Sequence, residues 1–221
     1  MKESNDQVLG RRTLLSSMGV AAVAGIAASA AAAPARAAQS ESFTPPRHAK
    51  DAWLGELAGV HRVFIDSSTL PGGANALRYA NNILATHVGD YEGQVSDYAL
   101  VICFRHGSTP YAFDDAVWAK YGSLFIRDAD PTPTTNPMNA ATAANGQNSL
   151  ASIREAGVKF AICSKATGVY SQMLARATGS TPEAVYAELV AGAIPESRFV
   201  PAGVIAATRS QEYGYSLLYS E

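Results

Sequence analysis

Two apolar segments, the uninterrupted residues 98–104 and residues 158–163 with Lys159 the one exception, restrict what this chain can fold into. Each has the length of a strand, and neither alternates polar with apolar, so both faces of the sheet that holds them must be covered. Residues 61–66 read as a further strand, with shorter ones at Phe199-Val200 and at residues 215–219. Stretches with helical spacing separate them: residues 74–88, 111–121, 150–156, 167–178, a helix opened by Thr181-Pro182, and 204–213. Thr181 supplies an N-cap hydroxyl, Pro182 suits a first turn, and Gly157 ends the helix before it. Strands alternating with helices predict an α/β fold, a three-layer sandwich around a mainly parallel sheet. Pro71-Gly72-Gly73 reads as punctuation between the first strand and its helix.

The N-terminal segment bears on location. Arg11-Arg12 precedes an Ala/Gly-rich apolar run that reaches Ala33, and Ala35-Arg36-Ala37 follows. A charged start, a weakly hydrophobic middle and an A-x-A site are the layout of an export signal. The paired arginines and the scarcity of leucine predict a twin-arginine signal over residues 1–37, cut between Ala37 and Ala38. A membrane anchor is the competing reading, and the small-residue cleavage site weighs against it. The expected location is periplasmic or otherwise extracytoplasmic, with no membrane association after cleavage. Residues 38–59 read as a polar tether with a short helical turn at 53–57, and residues 60–221 as one domain. Within it, residues 127–148 are dense in Pro, Thr, Asn and Ala and read as a loop insertion.

Charge removes one class of function. With 17 basic against 19 acidic side chains and a net charge of −2, the chain has no clustered Lys/Arg footprint for nucleic acid. Two cysteines are too few for a disulfide-stapled scaffold, and C-x-x-C is absent. No G-x-G-x-x-G, Walker or G-x-S-x-G pattern occurs, and no cofactor is expected.

In open parallel sheets, ligands bind beyond the carboxyl ends of the strands. That singles out Asp66-Ser67-Ser68, residues 103–107 and residues 163–165. Cys163 ends a strand just before a helix, where backbone N–H groups favour a thiolate and Lys165 adds positive potential. A small buried hydrophobe is the alternative for Cys163. Cys103, between Ile102 and Phe104, reads as structural, and a Cys103–Cys163 bridge stays open. His106 is the candidate proton carrier, while Arg105 and Ser108 are candidate anion-binding groups. Cys103, His106 and Cys163 could be drawn as metal ligands, but strand positions three apart face opposite sides, and no metal is expected.

Four segments carry a resemblance: residues 101–107, 116–121, 157–163 and 200–204, with Gln211-Glu212 beyond. They resemble the exported branch of the DsrE/DsrF-like family over roughly residues 60–219. The resemblance implies a flavodoxin-like sheet, a homo-oligomer, and in some members a strand-end cysteine that carries persulfide sulfur between proteins. Cys163 matches that cysteine. The expected function is a periplasmic persulfide or sulfur carrier working with a sulfur donor or acceptor protein. The alternative is a non-catalytic module of the same fold that binds a small ligand or assembles.

Overall fold

The computed structural model describes residues 44–221. The export signal read over residues 1–37 and the first part of the tether lie outside the described residues.

Five strands form one sheet: β1 (His61–Ser67), β2 (Tyr98–Phe104), β3 (Lys159–Cys163), β4 (Ser197–Val200) and β5 (Ser216–Ser220). All pairings are parallel and the order is β4-β3-β2-β1-β5. Six helices connect them: α2 (Leu70–Asp90), α3 (Asp115–Phe125), α4 (Leu150–Glu155), α5 (Ser164–Thr178), α6 (Pro182–Ala191) and α7 (Gly203–Glu212). A short α1 (Trp53–Glu56) precedes β1. This is the three-layer sandwich around a parallel sheet that the apolar strands predict, flavodoxin-like as the resemblance implies.

Topology decides which face each helix covers. The steps from β1 to β2, β3 and β4 all run one way across the sheet, and the step from β4 to β5 runs back. Because parallel crossovers are right-handed, the reversal sends α7 to the opposite face. Alternate strand residues report the two layers. Ile65, Ile102, Phe104, Phe160 and Ile162 pack with Leu77, Trp118, Tyr121, Leu174 and Leu189. Phe64, Val101, Cys103, Ala161 and Val200 pack with Ala206, Ala207 and Tyr213.

Two expectations are corrected. Pro71-Gly72-Gly73 is the first turn of α2, not a break. The Thr69 hydroxyl accepts from the Gly72 N–H at 2.9 Å, and proline suits that first turn. Both glycines are steric: a Cβ on Gly72 would sit 2.4 Å from the Ser220 carbonyl oxygen, and one on Gly73 2.5 Å from the Tyr111 ring. The second correction concerns the tether. Its later part docks on the domain, because Trp53 is 6% and Leu54 0% exposed in the α7-side core. The Arg62 guanidinium donates to the Leu54 and Leu57 carbonyls at 2.7 and 3.1 Å, which closes the short helix against β1.

The loop over residues 127–148 is pinned by buried asparagines. The Asn136 amide donates to the Tyr111 and Phe113 carbonyls at 2.9 and 2.7 Å. Arg78 of α2 donates to the Ala143 and Ala144 carbonyls. No helix among the described residues is long and apolar enough to cross a membrane.

Docking of residues 53–57 has a measurable consequence. Leu54→Ala empties a fully buried position and is expected to cost about 2–5 kcal/mol of unfolding free energy in urea. A change below about 0.5 kcal/mol would mean that this segment is a free tether after all.

Candidate functional site

The reversal in connectivity creates a crevice. β3 leaves toward α5 on one face and β4 toward α7 on the other, so the chain parts between the carboxyl ends of β3 and β4. Cys163 and Val200 are the register partners at that point. A cavity of about 480 Å³ opens there. Cys163, Ala166, Tyr170, Met173, Gly203 and Val204 line it, and Arg105, His106 and Lys165 border the same space.

Cys163 holds the N-cap position of α5. Its Sγ accepts from the Ala166 N–H at 3.4 Å, and its carbonyl accepts from the Thr167 hydroxyl at 3.0 Å. The side chain is 5% exposed, so its sulfur meets the cavity rather than bulk water. The start of α7 faces the same space. Its N-cap is Ala202, which has no side chain to satisfy the first N–H groups. Two helix N-termini therefore direct partial positive charge at one apolar-walled hollow.

Arg105, which borders the cavity, is held by Asp66. The Arg105 Nε donates to Asp66 Oδ1 at 2.6 Å and Nη2 to Oδ2 at 2.8 Å. That pairing raises the Arg105 pKa above its ordinary value. Asp66 takes the Arg105 Nε and Nη2, while the side chain still borders the cavity. The Arg105 side chain lies beneath Gly203, where a Cβ would come within 2.8 Å of the Arg105 Cβ and 3.2 Å of the Cys103 Sγ.

Ser108 is also corrected. It is fully buried, its hydroxyl is 2.9 Å from that of Ser67, and it donates to the Ser67 or Arg105 carbonyl. It stitches the ends of β1 and β2 and does not line the cavity. His106 sits exposed at the rim with a φ of 51°, a left-handed backbone uncommon outside glycine. Lys165 is exposed at the rim and makes no ion pair among the described residues.

Cys103 and Cys163 are both free. The Cys103 thiol is 0% exposed under Gly203, and burial, with Asp66 and Cys163 adding to it, pushes its pKa well above the usual thiol range. The two cysteines share a sheet face but stand diagonally across β2 and β3, since Cys103 pairs with Ala161. Diagonal neighbours are roughly 7–8 Å apart, beyond easy disulfide reach. Among the described residues, no group of three or more His, Cys, Asp or Glu side chains could hold a metal ion.

Sequence reasoning missed the α7 wall. Ala202, Gly203 and Val204 reach the site only because the chain crosses the sheet after β4, a non-local fact. Val169, Tyr170 and Met173 are one helical row of α5, and their spacing could have suggested a shared face. No protein-family model matches the chain, and none of the curated proteins matches it.

The buried thiol sets an alkaline limit. Below the ordinary thiol value of 9.0, Cys103 is protonated in both folded and unfolded chains, and stability is full. Above it, only the unfolded chain releases the proton, so stability falls as pH rises. Urea midpoints are therefore expected to drop between about pH 8 and about pH 10, and Cys103→Ala should flatten that slope. Tyr111, pushed up to about 12 by burial, leaves a residual slope. An unchanged slope in Cys103→Ala would refute the assignment.

Proposed function

We propose that Cys163 accepts a sulfur atom from a small sulfane donor held in the crevice between β3 and β4. The observation that carries this reading is the position of its sulfur: at the cavity floor, on the N-cap of α5, with a second helix N-terminus opposite. Thiolate is the nucleophile in such chemistry, and helix N-termini stabilise it.

The step is a displacement at sulfur. The Cys163 thiolate attacks the outer sulfur of the donor and a new S–S bond forms. The donor's own S–S bond breaks, and its electron pair leaves with the remaining anion, sulfite when the donor is thiosulfate. The thiol proton goes to the His106 imidazole or to water, and Lys165 offers charge to the departing anion. A second thiolate, on an acceptor protein, takes the sulfur from the Cys163 persulfide by the same displacement in reverse. Thiosulfate alone would leave much of a space of about 480 Å³ empty. The apolar wall of Val169, Tyr170, Met173 and Val204 suits a donor with an apolar body, such as an organic persulfide or polysulfide.

A second reading rests on the same wall. With Cys163 only 5% exposed, the cavity could hold a small apolar ligand without covalent chemistry. The leader read over residues 1–37 supports export for either reading, so both proposals place the work outside the cytoplasm.

Polysulfide treatment followed by peptide mass spectrometry separates the readings. Gain of single sulfur atoms on the Cys163 peptide, reversed by a thiol reductant and absent in Cys163→Ser, is expected. Cys103 should remain unmodified until the protein is unfolded. Equal sulfur uptake by Cys163→Ser, or none by the parent, would defeat the carrier reading and leave non-covalent binding.

A further inference from the structure

The two edges of the sheet are built differently. β4 is four residues long, carries the exposed Arg198, and is bracketed by Pro195 and Pro201. An ion pair between Lys159 and Glu196 stands at its start. Shortness, charge and proline are the devices that keep an edge from pairing. β5 carries neither charge nor proline. Its sequence is Ser216-Leu217-Leu218-Tyr219-Ser220, with Leu217 and Leu218 each 38% and Tyr219 51% exposed. Successive residues face opposite sides, so the strand is apolar on both faces. Among the described residues it pairs with β1 alone, which leaves its outer row of backbone groups without a strand partner there.

We infer that β5 pairs with β5 of a second copy of this chain, antiparallel about a twofold axis through Leu218, making one sheet that spans both copies. The strand is self-complementary in that register. Ser216 falls opposite Ser220, Leu217 opposite Tyr219, and Leu218 opposite Leu218. Apolar meets apolar in the centre, hydroxyls meet at both ends, and no like charges face each other. A slip of one residue would keep Leu218 opposite Tyr219 but set Leu217 opposite Ser220 and Ser216 opposite Glu221, losing the outer matches.

The flanks agree with this register. Glu221 of one copy stands opposite Tyr215 of the other, whose ring carries the Arg62 guanidinium at 5.4 Å. Acid thus approaches base across the axis, twice by symmetry. Tyr219 is already held, its hydroxyl 2.5 Å from the Ser68 hydroxyl, so little side-chain freedom is lost on pairing. On the other face, Asn75 of α2 donates to the Glu221 carbonyl at 3.2 Å, and Tyr79, one turn further and 37% exposed, prolongs the apolar strip. A five-residue strand with this strip is small beside a standard interface of about 1,600 Å², which points to a concentration-dependent dimer rather than an obligate one.

Sedimentation of the purified protein across the micromolar range tests the inference. A monomer–dimer equilibrium is expected. Leu218→Lys sets two ammonium groups opposite each other on the axis and should weaken association at least about tenfold, with circular dichroism unchanged. Leu218→Cys should cross-link to itself under mild oxidation, and it decides the matter should the lysine variant fail to fold. A monomer at every concentration would overturn the inference. So would a trimer or hexamer, an association untouched by Leu218→Lys, or a Leu218→Cys dimer that does not cross-link.

Discussion

The fork between Arg105 and Asp66 holds the carboxyl end of the sheet in shape. Asp66 stands one residue before the end of β1, its side chain only 7% exposed, and Arg105 follows β2 immediately. Removing one partner of such a pair strands a buried charge, at a cost of roughly 3–5 kcal/mol. The fork also has a steric role. It lays the arginine stem flat across the end of the sheet, and α7 begins directly on top of it at Gly203. Backbone bonds from Arg105 to Ser67 and from Gly107 to Ser68 fix the loop from below, and His106 takes the left-handed turn that results. The height of α7 above the sheet, and hence one wall of the cavity, follows from that stack.

Depth along a strand gives the two cysteines different chemistry. Cys103 lies one residue inside the end of β2, under Gly203, and its burial keeps the thiol protonated. Cys163 is the last residue of β3 and the first partner of α5, so its sulfur reaches both a helix N-terminus and the cavity. The same residue type on the same face of the same sheet is thus inert at one level and addressable at the next. Around it, charge sits at the rim and apolar groups form the wall.

Much of this architecture was readable before any coordinates. The apolar runs at β2 and, past Lys159, at β3 state that both faces are covered, and the Thr181-Pro182 start of α6 is where local chemistry puts it. Cys163 at a strand-to-helix junction was likewise local information. What escaped was non-local. Pro71-Gly72-Gly73 looks like a break until Ser220 and Tyr111 are seen pressing on the glycines. Ser108 looks like a ligand donor until its partner, Ser67, arrives from another strand. The α7 wall depends on a crossover that no window of sequence contains.

The place of β1 in the sheet has a bearing on synthesis. One side of β1 is filled early, by β2, but the other must wait for β5. The contact of Ser68 with Tyr219 spans 151 positions, and Ser220 and Glu221 reach back to Gly72 and Asn75 in the same way. While the ribosome works through that interval, the nascent sheet presents an unfilled inner edge, bordered by the apolar residues Phe64 and Ile65. The interval is a window in which a passing strand from another nascent chain could dock, and it closes only when β5 emerges. A slow codon before β5 would lengthen that exposure.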